Sequence, residues 1–426
     1  MEEQKVTLKF LQDLFKQIDE NVTIENFEES LGSGRGDNYT ASLYRLKLDG
    51  HKKTNDGFDQ WTTSIIYKCL PESAARREAY KSEKLFRNEV AFYTKVMPLY
   101  EKFQKSKENI LSSTFQAIPK CYYARDNLIV LEDLRLSGYE MADRKVGLNF
   151  KQITAVLDEL AKFHAVSLAV KMLHPQDFYT LLNTRDGISE ALFIKENEEW
   201  YRDYYKHAIQ NVLDMASKKL SKLELGTTIL NKFANFANDS FFEKMINLVS
   251  DTGPLSVLCH GDCWTNNILF KLDDSKGLKV CFIDFQLCRH GSIALDLANL
   301  IYCCTTRNLR DLHLKEMLGR YHEICFSNLS ALLKNTPSEN HKLNNKEYTF
   351  NLLMIEFRKF ALFGLGLAID MIPISTCDSD EAPDMYENEN ESEQIEDFLI
   401  PTTTTNELCT TKMVNLICEL YDNDIL

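Results

Sequence analysis

A few polar residues in this chain are spaced as phosphoryl transfer would need them. The stretch LCHGDCWTNNILF, 258–270, sets His260, Asp262, Asn266 and Asn267 between apolar runs, and CFIDFQ follows with Asp284. Polar groups drawn into an interior need partners there, from the protein or from a ligand. Phosphoryl transfer calls for a carboxylate that takes or orients the proton of the attacking hydroxyl. It also calls for hard oxygen donors that hold Mg2+ against nucleotide phosphates. Asp262 suits the first role; Asn267, five residues on, and Asp284 suit the second. His260 is expected to organise the loop, and Trp264 to be core or pocket wall.

Upstream lie further candidates. LGSGRGDNYT alternates Gly32, Gly34 and Gly36 between strand-like runs. Glycines there would let the backbone approach a phosphate, although the same alternation occurs in ordinary hairpin turns. No G-K-S/T follows, which excludes a Walker-type loop. Lys68 closes the apolar strand SIIYK, and Glu89 sits in the helical run FRNEVAFY. A lysine so placed can reach phosphates while a helical carboxylate holds it. A snorkelling edge lysine and one more solvated glutamate are the plain alternatives.

These residues need a scaffold. β-branched and aromatic runs such as WTTSIIYKCLP and AIPKCYYARDNLIVLEDL read as strands, and REAYKSEKLFRNEVAFYTKVMPLY as a charged helix. Together they make a small sheet with one helix in the first third, after an amphipathic N-terminal helix bearing Leu8, Leu11, Phe15 and Ile18. From Phe150 the period becomes helical, with Ile153, Val156, Leu157, Leu160, Phe163 and Leu168 on one stripe. Short strands return only at VLCH, NILFKL and KVCFIDFQ, before ALDLANLIYCCT resumes helix. The boundary near Leu134–Gly138 separates an α+β lobe, 1–134, from a mainly helical one, 135–426. Within the second, the acidic run 377–397 has too few apolar residues to order itself and reads as a flexible surface insertion.

Composition narrows the class. A net charge of -14 over 426 residues argues against nucleic acid as partner, since phosphate binding needs a basic face. The N-terminus lacks the pattern of a signal peptide, and the apolar stretch FALFGLGLAIDMIPI is interrupted by Asp370 and Pro373 and is too short to span a bilayer. Twelve cysteines include the run Cys259, His260, Cys263, but no second spaced pair completes a zinc site. Buried free thiols in a reducing compartment fit better. A soluble, cytoplasmic protein is expected, with no membrane and no obligate protein partner.

The order glycine loop, strand lysine, helical glutamate, H-x-D-x-x-x-x-N and strand-borne D-F resembles the two-lobed protein-kinase-like fold. HGD in place of H-R-D and IDFQ in place of D-F-G are similar to kinases of small molecules related to aminoglycoside and choline kinases. GDNYTASLY, FRNEVAFYTKVMP, LIVLEDL, LAKFHAVSLA, CHGDCWTNNILF and IDFQLCRHGSIALDLANLI together resemble the ecdysteroid kinase-like family. The resemblance implies ATP between the lobes under Gly32–Gly36, with adenine on the backbone around Glu132–Leu134. It implies that Asp296 is a structural brace for the catalytic loop. It implies an acceptor that is a small lipophilic alcohol, such as an ecdysteroid. Cys263 departs from the leucine usual after the aspartate, and the missing activation segment and A-P-E element argue against protein substrates. A choline- or aminoglycoside-type kinase and a catalytically silent nucleotide-binding relative are the competing readings.

Overall fold

The computed structural model of the protein describes residues 6–32, 40–107, 114–125, 127–273, 275, 277–338, 341–378 and 406–426. The chain opens with α1 (Leu8–Ile18), capped by the Thr7 side chain, which accepts the Phe10 N–H. Then come β1 (Val22–Leu31), β2 (Ser42–Thr54), β3 (Gly57–Cys69), α2 (Ala74–Ala79), α3 (Ser82–Ala91), α4 (Met97–Lys105), β4 (Cys121–Arg125) and β5 (Leu128–Glu132). The strands form one antiparallel sheet in the order β1-β2-β3-β5-β4. Leu11, Leu14 and Phe15 of α1 share a core with sheet residues Ile24, Leu46, Leu48, Ile65 and Val130.

The run read as a single helix is divided. Lys81 takes a left-handed conformation (φ 50°) between α2 and α3. Before α4 comes a π-helical turn, Phe92–Val96. Pro98 in the first turn of α4 has no N–H to donate to the turn before it, which favours this change of winding.

The second lobe holds β6 (Glu140–Met141), α5 (Phe150–Leu173), α6 (Pro175–Asn183), α7 (Glu198–Leu220), α8 (Gly226–Phe236) and α9 (Phe241–Ser250). It continues through β7 (Ser256–Cys259), β8 (Ile268–Asp273), β9 (Gly277–Phe282), β10 (Arg289–Ser292), α10 (Ile293–Cys304), α11 (Arg307–Leu333), α12 (Lys346–Thr376) and α13 (Glu407–Asp422). The α5 stripe is buried as expected, from Ile153 to Leu168, behind a capping box formed by Asn149 and Gln152. β10 and the two-residue β6 escape a sequence reading because each is short and without apolar alternation. Every residue of α10 is buried, so this helix is the axis of the lobe. Its close packing on α12 needs Gly364, where a Cβ would lie 2.7 Å from the Ala298 carbonyl oxygen.

The apolar stretch interrupted by Asp370 and Pro373 is continuous helix within α12, which runs through both. Among the described residues no helix is long and apolar enough to cross a membrane. The acidic run lies outside the described residues from 379 onward. Cys259 and Cys263 are fully buried, and the Cys259 thiol donates to the Gly291 and Ser292 carbonyls. The architecture is a two-lobed α+β fold of the protein-kinase-like type. One core runs through both lobes: Phe92 of the π turn stacks on Phe285 with ring centroids 3.6 Å apart.

Candidate functional site

Lys68 is near the end of β3, held in register between Leu43 of β2 and Ile129 of β5. Its amine lies 2.6 Å from Glu89 Oε2 on α3 and 2.6 Å from Asp284 Oδ1. Burial works against the ammonium, but the Asp284 and Glu89 carboxylates more than offset it and raise its pKa above the ordinary value. Neither plain alternative describes these two residues: the lysine side chain is 5% exposed and the glutamate 1%.

Asp284 follows β9 in a left-handed conformation (φ 65°, ψ 68°), which Asp tolerates better than most residues. The turn sends its carboxylate to Lys68 while Phe285 goes inward, against Phe92 and against the His260 ring at 4.4 Å. A non-glycine residue held there stores strain of the kind found at functional sites.

The loop before it is fixed from several directions. Gly261 has φ 86°, and a Cβ on it would lie 1.8 Å from the Leu287 carbonyl oxygen, so only glycine fits between His260 and Asp262. Asp296 on α10 accepts the His260 N–H at 2.7 Å and the Gly261 N–H at 2.9 Å. Its Oδ2 also meets His164 Nε2 at 3.1 Å, and His164 Nδ1 is 2.6 Å from the Tyr321 hydroxyl. The carboxylate therefore braces the loop through two backbone amides. His260 Nδ1 accepts the Asp262 N–H at 3.2 Å, which assigns the ring proton to Nε2, 3.0 Å from the Ile283 carbonyl. Burial lowers the pKa of this imidazole, so it stays neutral and organises the loop.

Asp262 is 8% exposed. Asn267 Nδ2 donates to its Oδ2 at 2.8 Å and to its carbonyl at 3.0 Å. With Nδ2 so committed, Oδ1 is the atom that Asn267 can offer to a cation. Burial pushes the Asp262 carboxyl up to about 7, and the Asp284 carboxylate adds to the effect. Buried Asn266 Nδ2 has no hydrogen-bond partner among the described residues. Trp264 is half-buried and packs on the core.

Gly32 lies at the end of β1, its N–H bonded to the Leu43 carbonyl at 2.8 Å. Gly34 and Gly36 lie outside the described residues. Glu132 ends β5; its N–H donates to the Lys120 carbonyl at 2.9 Å, and the Leu134 carbonyl accepts from Ser137 and Tyr139. Tyr205 is buried among Phe241 and Phe242, and Trp200 donates to the Ala79 carbonyl at 3.1 Å. Tyr205 belongs to the main core, and Trp200 is half-buried against Ala79 in a small separate cluster.

Sequence reasoning missed Asn88. Next to Glu89 and 1% exposed, it donates through Nδ2 to the Ser189, Gln286 and Cys288 carbonyls and accepts the Ser189 N–H. It thus ties α3 to the turn that carries Asp284. Its signal was an asparagine among the buried positions of a helix, where it needs partners elsewhere. His164 also carries a supporting role, and its place four residues after Leu160 on the buried α5 stripe marks it in the sequence.

The structure thus brings a sheet-borne lysine, a helical glutamate and Asp284 into contact, and it braces the H-G-D loop from α10. The sequence matches the ecdysteroid kinase-like family over residues 35–334, and the chain belongs to that family. Membership supports a small-molecule kinase. No curated protein matches the chain in sequence. Among solved structures, it is similar to a Plasmodium vivax ethanolamine kinase at 15% identity and TM-score 0.40, covering 100% of this chain and 93% of that one. It is also similar to a GDP complex of an aminoglycoside 2'-phosphotransferase-IIIa variant at 12% identity and TM-score 0.41, covering 98% of each.

Proposed function

We propose that the protein is an ATP-dependent small-molecule kinase that transfers the γ-phosphoryl group to a hydroxyl of a lipophilic acceptor, an ecdysteroid or related steroid being the leading candidate. The observation that carries this reading is the Lys68 amine held at 2.6 Å from both Glu89 and Asp284, beside the Asp262–Asn267 pair. Mg2+ fits the donor set, since the Asp284 carboxylate and Asn267 Oδ1 are hard oxygens. When bound, the cation neutralises phosphate charge. Lys68 binds phosphate oxygens from the sheet side, and Glu89 keeps its amine extended.

Asp262 takes the proton of the acceptor hydroxyl as its oxygen bonds to the γ-phosphorus and the bond to the β-phosphate oxygen breaks, releasing ADP. A carboxyl pushed up to about 7 is matched to that task near neutral pH. Adenine meets the backbone at Glu132 and Leu134; with the Glu132 N–H already used, the Leu134 N–H is the donor. Gly32, Gly34 and Gly36 cover the phosphates. In this reading 1–134 is the nucleotide lobe and 135–426 the catalytic and acceptor lobe, and the protein works in the cytoplasm without an obligate partner.

The test is incubation with γ-labelled ATP, Mg2+ and separate acceptors: an ecdysteroid, neutral lipophilic alcohols, choline and ethanolamine. Mass spectrometry of the products decides. A phosphorylated steroid or neutral alcohol supports the proposal, and phosphocholine or phosphoethanolamine alone would replace it with the amine-alcohol reading.

A further inference from the structure

Gln286 stands two residues after Asp284 and is 7% exposed. Two separate elements of the first lobe bond to it. The hydroxyl of Thr40, two residues before β2, donates to its Oε1 at 2.7 Å. Asn88 of α3 donates through Nδ2 to its carbonyl at 3.1 Å. Each donor lies beside a residue of the site. Leu43, three residues after Thr40, pairs with Lys68 across the sheet, and Asn88 immediately precedes Glu89. The residue after D-F therefore ties the strand next to Lys68, and the helix that bears Glu89, to the turn that bears Asp284.

The tie matters because the direct link between the lobes is spent on ligand binding. Lys68 and Asp284 touch at 2.6 Å. In the kinase reading the amine turns to phosphate oxygens and the carboxylate to a cation, so each gives up part of its hold on the other. Thr40, Asn88 and Gln286 bind no ligand in that reading, and their mutual bonds persist. We propose that Gln286 is a positioning residue that keeps Lys68 and Asp284 apposed across the lobes while Mg2+ and nucleotide phosphates come between them. A side-chain amide suits the place. Its oxygen takes the Thr40 hydroxyl without charge, whereas a carboxylate would set a second negative group beside Asp284 and a glycine would offer Thr40 no side-chain acceptor. The inference rests on the small-molecule kinase reading and adds to it how the two halves of the phosphate site are held in step.

The experiment measures binding to the full-length protein, by calorimetry for Mg·ATP and by competition for adenosine. Thr40→Val keeps the shape and loses the donor, and Gln286→Met keeps the length and loses the acceptor. Each should weaken Mg·ATP about two- to tenfold, the size of one neutral hydrogen bond, while adenosine binds as before and the stoichiometry stays at one. The double variant should bind no more weakly than the weaker single, since the same bond is lost once. Thr40→Ser, which keeps the hydroxyl, should bind like wild type. A merely structural role lowers the fraction of molecules that bind and leaves the affinity of the rest at the wild-type value. That result, or an equal loss for adenosine, overturns the positioning role and leaves the kinase reading standing. A wild type that binds no Mg·ATP overturns both.

Discussion

Replacing Asp296 by asparagine barely changes volume but removes the charge under the H-G-D loop. Its Oδ2 accepts from His260 N–H and lies near His164 Nε2, while Oδ1 accepts from Gly261 N–H. An amide in either orientation points its NH2 at a backbone N–H, leaving a buried donor facing a donor. A hydrogen bond to a charged group contributes about 1.5–3 kcal/mol, and an unsatisfied buried donor costs about 1–3 kcal/mol. The sum is a loss of about 2.5–6 kcal/mol, a large share of the ~5–15 kcal/mol that holds a folded protein together.

Urea denaturation reads this loss as a lower midpoint, and hydrogen exchange reads its place as faster exchange in the peptide spanning 258–264. Turnover should fall about 100-fold where the protein is still folded, as misplacing Asp262 by an ångström would require. The pH dependence has a definite sign. Burial acts to raise the Asp296 carboxyl, but the His164 hydrogen bond and the loop amides outweigh it and hold it below the ordinary carboxylate value. The stabilisation is therefore present above the unfolded-state value of about 3.9 and is lost as pH falls through the folded one. Wild type should lose more stability than Asp296→Asn on acidification through that window. An unchanged midpoint together with unchanged exchange at 258–264 refutes the brace.

Asp262→Asn should lower turnover by about two orders of magnitude or more while nucleotide affinity persists; near wild-type turnover removes its role as proton acceptor. Asp284→Ala should abolish the Mg2+-dependent part of ATP binding, measured by calorimetry with and without the cation. Lys68→Met leaves Glu89 and Asp284 without their shared ammonium, and ATP affinity should fall at least about tenfold, a loss of about 1.4 kcal/mol. Arg310 is 3% exposed and grips Glu419 of α13 with contacts of 2.9, 2.9 and 2.5 Å. Arg310→Met should destabilise by about 3–5 kcal/mol, whereas adding Glu419→Met should recover most of it; a double variant as weak as the single contradicts an uncompensated buried charge.

The sequence made the chemistry of the site more legible than its supports. Lys68, Glu89 and Asp284 could be named because phosphate chemistry needs an ammonium, a carboxylate to hold it and an oxygen ligand, in residue types that leave few substitutes. The α5 stripe was readable because a period of 3.6 over many residues has one physical meaning. Asn88 and Arg289 were not readable: the one bonds backbone far along the chain and the other is ion-paired with the distant Glu190, and nothing local marks that. The division of the charged helix at Lys81 and at the π turn also lay beyond periodicity, since the apolar stripe continues through both breaks. The left-handed turn at Asp284 belongs with these, because an aspartate signals tolerance of that conformation but not its use.

A crystal structure with a non-hydrolysable ATP analogue and Mg2+ tests the convergence of these side chains most directly. The account predicts the cation bound by Asn267 Oδ1 and the Asp284 carboxylate, phosphate oxygens on the Lys68 amine, and the γ-phosphate facing Asp262. A nucleotide seated elsewhere, or a cation that touches neither Asn267 nor Asp284, contradicts it.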